Sequence, residues 1–251
     1  MTTSQVASRE EVEAFLASTS FDGYQSVPLP HGLSVPGKDR SQRTEQVLGR
    51  HVAGRSVLDI GTNYGVFPFE AMQRGASRAV GIELDESRAA MAQRIAALHG
   101  DSYEIRQGRV EDLAPEESFD VVLVLNVLHH LLDPIAVMRQ LAAVCRETMI
   151  VEFCLPDDPE YLIYVVGRSA ARTRLNWVLA GLRSRLLRRA IGDLPLMAVG
   201  NRSYDRTFYF SPAAFENLFV LHQELFESVS FEPSVTGQRR VVATCRIRRA
   251  D

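Results

Sequence analysis

Lysine is almost missing from this chain. Lys38 stands alone among 28 basic residues, the rest being arginine, and the formal net charge is −3. That balance lacks the basic excess of a general nucleic-acid binder, and the arginine preference reads as codon bias in a GC-rich genome rather than as chemistry. Cysteine is scarce as well. Cys145, Cys154 and Cys245 are scattered, odd in number and without a C-x-x-C pair, which argues against both a disulfide framework and a zinc site; no metal is expected. No apolar run approaches the ~18 residues of a membrane span. The N-terminus also lacks the basic-then-apolar order of a signal peptide, so the cytoplasm is the default compartment.

What is present is an ordinary globular composition. The 251 residues are 46% hydrophobic and 24% charged, enough for one large domain, or one domain with an insertion. Ser8-x-x-Glu11 is a capping box opening a short helix to about Ala17. The stretch Phe21 to Arg40, with Pro28, Pro30 and Pro36, is irregular, and Val27 to Leu33 within it predicts a hairpin or Ω-type loop. A helix follows from Ser41 to Arg50, and residues 1–50 read as an N-terminal cap. From residue 55 the pattern alternates: strands at 55–60, 78–83, 102–106, 119–125 and 148–153, helices at 66–74, 86–98 and 134–145. Such alternation means βαβ units, a parallel sheet and an α/β fold with helices on both faces. Residues 155–203 break it. There Leu175, Val178, Leu179, Leu182, Leu186 and Ala190 make a helical stripe beside seven arginines from Arg168 to Arg189. That helix reads as a lid, a homodimer interface over 170–190, or a surface for an anionic partner. Residues 51–154 and 204–251 form the expected core, with Ser211-Pro212 starting a helix and strands near 225–231 and 239–247 closing a hairpin.

The chain is organised around Val57-Leu58-Asp59-Ile60-Gly61-Thr62-Asn63-Tyr64-Gly65. An apolar strand runs into a turn where Gly61 and Gly65 let the backbone approach a ligand, and a helix follows, as in a nucleotide crevice. Glu83 ends the next strand, 24 residues after Asp59, where a carboxylate accepts ribose hydroxyls. Position 66 is Val, so the sixth-position glycine of a dinucleotide fingerprint is missing. Asp59, just before the turn, would repel a pyrophosphate and suits a cationic ligand. S-adenosyl-L-methionine, with a sulfonium and an ammonium, has that character.

The motifs VLDIGTNYG, VGIE, RQGRVEDL, FDVVLVLNVLHHLLDP and MIVEF occur in that order over residues 57–153. Together they resemble the cofactor motifs of class I S-adenosylmethionine-dependent methyltransferases. The resemblance implies a Rossmann-like doubly wound, mostly parallel seven-stranded sheet ending in an antiparallel hairpin, with the helical insertion after the fifth strand. It places Asp59 and Gly61 at the methionine moiety, with Asn63 and Gly65 in the same turn. Glu83 and Leu84 fall at the nucleoside, Val110 and Glu111 beside adenine, and Asn126 in the lining after the fourth strand. Asn63 departs from the usual middle glycine and is expected to tolerate the left-handed conformation. Arg109 stands where an acid usually meets adenine.

A narrower resemblance, through the Pro28-to-Arg40 lead, NVLHHLLDP and RTFYFSP, is to the tRNA wobble-uridine carboxymethyltransferase branch and its small-molecule relatives. That branch has Tyr-His-Arg-Arg where this chain has His129-His130-Leu131-Leu132, and it uses a lysine in the cap, where none precedes Lys38. The loss of basic residues from a site for an extra carboxylate implies ordinary methyl transfer, although Arg206 is retained. His129 is the candidate general base, set against a loop-shaping role for the same ring. Tyr24, Tyr64, Glu152, Tyr204 and Arg206 are candidate acceptor contacts. The expected function is O-methylation of a small specialised metabolite. RNA modification is the alternative within catalysis, and a non-catalytic cofactor-binding subunit is the alternative outside it.

Overall fold

The computed structural model describes residues 5–114, 116–155, 195, 197–199, 208–222, 224–237 and 240–248. The arginine-rich stretch 168–189, Tyr204 and Arg206 lie outside the described residues.

Helix α1 (Arg9–Ser18) starts at the capping box read from the sequence: Ser8 Oγ accepts from Glu11 N–H, and the Glu11 carboxylate accepts from Ser8 N–H at 2.7 Å. The proline-rich lead is a hairpin, β1 (Val27–Pro28) running antiparallel to β2 (Ser34–Val35). Helix α2 (Ser41–Leu48) buries Arg43, Thr44, Val47 and Leu48.

Then the alternation appears as β3 (Ser56–Ile60), α3 (Val66–Gln73), β4 (Arg78–Glu83), α4 (Glu86–Leu98), β5 (Glu104–Gln107), β6 (Phe119–Leu125), α5 (Pro134–Val144) and β7 (Cys145–Cys154). Short strands β8 (Met197–Val199) and β9 (Phe208–Phe210) pair antiparallel. Helix α6 (Pro212–Phe215) is N-capped by Ser211 Oγ, which accepts from Ala214 N–H at 3.1 Å, and it continues as π-helix over Glu216–His222. Strands β10 (Phe226–Pro233) and β11 (Arg240–Ile247) form the closing antiparallel hairpin. Seven strands make one sheet in the order β10-β11-β7-β6-β3-β4-β5. β3 pairs in parallel with both β4 and β6, and β4 with β5. This is the expected Rossmann-like, mostly parallel seven-stranded sheet.

One boundary moves for a physical reason. β7 begins at Cys145, not at 148, because Arg146 and Glu147 are paired rather than in a loop. Arg146 Nε donates to Asp120 Oδ1 at 2.9 Å, and Arg55 Nε to Glu147 Oε2 at 2.6 Å. Asp120 Oδ2 in turn accepts from Ser56 N–H and Oγ–H at 2.8 and 2.7 Å, fixing the start of β3.

The chain forms two compact units, Met1–Val124 with Ala143–Met149, and Leu125–Ala142 with Ile150–Asp251. In the first, all five residues of β3 are buried, with Val80, Ile82 and Ile95 in the same core. Burial on both faces is what an uninterrupted apolar strand predicts. In the second, Phe153 stacks on Phe215 at 5.0 Å between ring centroids, and Phe215 meets Phe219 at 4.8 Å. Each buried ring of this kind contributes roughly 1.5–3 kcal/mol relative to exposure.

Candidate functional site

In the first unit the site is a turn held by its own backbone. The N–H groups of Gly61 and Thr62 both donate to Ile82 O, at 2.8 and 3.0 Å, which hangs the turn on the end of β4. Gly61 (φ 70°) and Gly65 (φ 82°) take the left-handed conformation, and Gly65 leads directly into α3. Asn63 does the same at φ 53°. Its N–H donates to Glu83 Oε2 at 2.8 Å, and its side-chain Oδ1 accepts from Tyr64 N–H at 2.8 Å. The asparagine therefore supplies both the left-handed backbone of the missing glycine and a local side-chain tie.

Glu83 has two tasks here. One oxygen holds Asn63, and the other accepts from Asp85 N–H at 3.1 Å. Each carboxylate oxygen has a second lone pair, so both remain able to accept from ligand hydroxyls. Asp59 is 1% exposed, and its Oδ2 is buried with no hydrogen-bond partner among the described residues. Burial pushes its carboxyl up to about 7; the Thr62 hydroxyl and the Arg43 guanidinium act against that rise, and the charge of Glu83 adds to it. A carboxylate oxygen shut away from water and unpaired is costly, and an ammonium group is the partner that relieves it. The turn thus fits the cationic end of S-adenosylmethionine.

The remaining candidates of this unit have their own local surroundings. Leu84 is exposed, with its carbonyl accepting from Gln107 Nε2 at 3.4 Å. Val110 is buried in a 3₁₀ turn, while Glu111 is exposed and paired with Arg109 at 3.6 Å. Tyr64 is buried, its ring edge-on to Phe21 at 6.5 Å. Tyr24 is partly exposed beneath the Arg40 guanidinium at 5.3 Å.

In the second unit Asn126 follows β6, also left-handed at φ 62°. Its N–H donates to Glu152 O at 3.0 Å, and its Oδ1 is buried without a partner among the described residues. His129 is 2% exposed, its ring 4.2 Å from that of His130. Glu152 is fully buried, and Oε1 accepts from Ser234 Oγ–H. Ser234 is itself tied to Thr236 Oγ1 at 2.9 Å in the loop between β10 and β11.

Four residues at these sites escaped the sequence reading. Arg43 is buried on α2 with its guanidinium 5.2 Å from the Phe67 ring centre; its place in the stripe Arg43-Val47 was the available signal. Thr62 sits in the turn itself. Gly81 is a close-approach glycine: a Cβ there would lie 2.7 Å from Thr62 Oγ1, and an isolated glycine within a strand signals such an approach. Ser234 carried no local signal. Among the described residues, no group of three His, Cys, Asp or Glu side chains is placed to hold a metal ion, and no helix is long and apolar enough to cross a membrane.

A family profile described as a methyltransferase domain matches residues 38–222. The tRNA U34 carboxymethyltransferase of Alteromonas mediterranea is 28% identical over 160 residues, covering 59% of this chain and 48% of that protein. The ubiquinone biosynthesis O-methyltransferase of Pseudomonas syringae pv. tomato is 42% identical over 121 residues, covering 47% and 52%. The chain spans about half the length of these curated relatives. Among solved structures, the N-terminal domain of EvdMO1 in the presence of SAH and D-fucose aligns with a TM-score of 0.60 at 15% identity, over 97% of this chain and 98% of that one. Magnesium protoporphyrin IX methyltransferase (ChlM) from Synechocystis PCC 6803 with bound SAH aligns at 0.53 and 17% identity, over 83% and 84%. Identities this low speak to the fold alone.

Proposed function

The chain belongs to the methyltransferase domain family, matched over residues 38–222, and from that premise we propose that it transfers a methyl group from S-adenosylmethionine to an oxygen of a small specialised metabolite. The family read from five motifs in the sequence and the family matched by the profile are the same. The observation that carries the cofactor reading is Asp59: a buried, unpartnered carboxylate oxygen directly before a left-handed glycine turn. In this reading Asp59 and Gly61 receive the methionine end, with Asn63 and Gly65 shaping the turn. Glu83 takes the ribose hydroxyls, Leu84, Val110 and Glu111 border adenine, and Asn126 lines the cofactor side after β6.

When bound, the cofactor supplies a methyl group on a sulfonium, already an excellent leaving group. The protein's work is then to orient the acceptor and exclude water. His129 takes the acceptor's hydroxyl proton as general base. Glu152 and Tyr64 contribute polar contacts to the acceptor, with Tyr24, Tyr204 and Arg206 at its edge. Residues 1–50 act as a cap, residues 51–154 and 204–251 as the catalytic core, and 155–203 as a lid, with residues 170–190 as the proposed homodimer contact. The cytoplasm is the proposed compartment.

Small-molecule O-methylation is favoured by the 42% identity to an enzyme named for ubiquinone biosynthesis, and by Leu131-Leu132 standing where the carboxymethyltransferase branch has two arginines. A second reading, tRNA modification, is favoured by the match to a tRNA U34 carboxymethyltransferase across 59% of the chain. Incubation with methyl-labelled cofactor and fractionated cell extract separates them. Label in solvent-extractable small molecules supports the proposal, and label in bulk tRNA overturns it. Cofactor binding with no label transferred would point to a non-catalytic subunit.

A further inference from the structure

Asp59, Glu83 and Arg43 are all buried, with exposures of 1%, 7% and 3%. Two carboxylates and one guanidinium, all ionised, carry a net charge of −1 in a place with little water. Glu83 is committed to the backbone of the turn, accepting from Asn63 N–H and Asp85 N–H. Asp59 has the opposite surroundings. Its Oδ2 is without a partner among the described residues.

The groups facing Asp59 can be named element by element. Arg43 comes from α2, Glu83 from the end of β4 and the Thr62 hydroxyl from the turn. The residues in register with it on the neighbouring strands are Gly81 on β4 and Leu123 on β6, neither of which titrates. We infer that Asp59, Glu83 and Arg43 form a buried cluster one positive charge short of neutral, and that the ammonium end of the cofactor enters it in exchange for a proton carried by Asp59. The inference rests on the cofactor reading above. The O–H bond of the Asp59 carboxyl breaks, its proton passes to solvent, and the cation takes its place. Arg43 is a positioning residue in this scheme: a fixed counter-charge that sets how readily Asp59 gives up the proton.

The sign follows from linkage. Burial raises the proton affinity of Asp59, with the carboxyl pushed up to about 7, so the free protein holds the proton below that pH and has released it above. Binding therefore weakens as pH falls, approaching about tenfold per pH unit, and is flat at higher pH.

S-adenosylhomocysteine is the probe, because it carries the ammonium group without a transferable methyl. Isothermal titration in phosphate and imidazole buffers, whose ionisation enthalpies differ, counts the protons exchanged. Near pH 6 close to one proton should leave per ligand bound, falling toward none by about pH 8. Asp59→Asn should bind with no proton release and no pH dependence over that range. Arg43→Gln should move the midpoint to higher pH, a change that loss of packing alone would not produce. Should either variant fail to fold, the proton count of the unaltered chain still decides. Binding without proton release at pH 6 would overturn the inference while leaving the cofactor reading intact; no binding at any pH would overturn both.

Discussion

The two units solve different problems with different materials. The proposed donor turn of the first unit is held largely by backbone: three left-handed residues within 61–65, two N–H groups on one carbonyl, and a carboxylate that ties the turn to β4. Its parts lie within 25 positions of one another. The proposed acceptor-side cluster of the second unit is made of side chains brought from far apart, with Ser234 reaching Glu152 across 82 residues. A turn proposed to meet one invariant cofactor is built locally and rigidly. The proposed acceptor side joins a residue of the sheet, Glu152 on β7, to a loop residue, Ser234, and the loop can change without disturbing the sheet.

The widest separation between the two sides should come from His129→Ala. With the proposed base removed, turnover on the labelled acceptor fraction should fall about 10²–10⁴-fold, while calorimetric affinity for S-adenosylhomocysteine stays within about twofold. Wild-type turnover with an unchanged pH profile would remove His129 from the chemistry and leave it as a wall of the 128–130 turn.

Glu83→Ala should do the reverse. It deletes the proposed ribose acceptor and strands the N–H groups of Asn63 and Asp85, so cofactor affinity should drop about 100-fold, on the order of 3 kcal/mol. Because the same change also loosens the turn, Glu83→Gln is the control. It keeps one acceptor for the backbone but loses the charge, and should fall between the two. Equal affinity in all three proteins would refute the ribose assignment.

This contrast also explains what could be read from the sequence. The sheet was legible because each strand is an apolar run closed by a turn residue, and β3 and β6 bury nearly every side chain. The donor turn was legible because Asp59, Gly61 and Gly65 act through properties of single residues: charge before a turn, and freedom at positive φ. Asn63 yielded to the same argument, since asparagine is the side chain that best tolerates the left-handed region. The second task of Glu83, holding Asn63 N–H, was not legible, because a hydrogen bond from a turn to the end of a strand leaves no periodic trace. Nor was the Ser234–Glu152 contact. Nothing in a serine after a strand says which carboxylate, 82 positions earlier, it will meet.

Ser234→Ala tests whether that contact belongs to the acceptor side alone. Removing the hydroxyl leaves a fully buried carboxylate one donor short, a loss of about 1–3 kcal/mol that thermal unfolding would register as a lower Tm. Ser234→Thr keeps the hydroxyl and should recover most of it. Affinity for S-adenosylhomocysteine should not move; if it falls in parallel with stability, the separation between donor turn and acceptor cluster is lost.

The smallest effect is expected at Asn63, and it sharpens the comparison from the donor side. Glycine at this position restores the pattern of the wider family and keeps φ near 53° without steric cost. It gives up only the Oδ1 bond to Tyr64 N–H and gains unfolded-state entropy, so Asn63→Gly should cost within about 1 kcal/mol. Asn63→Ala lacks both the side-chain tie and the tolerance for the left-handed region, and should cost about 1 kcal/mol more than glycine. Cofactor affinity should follow the same order, because the N–H that Glu83 accepts is presented by that backbone conformation. If alanine proves as good as asparagine in both thermal unfolding and calorimetry, the turn is not held by its backbone, and the local, rigid character assigned to the donor side fails with it.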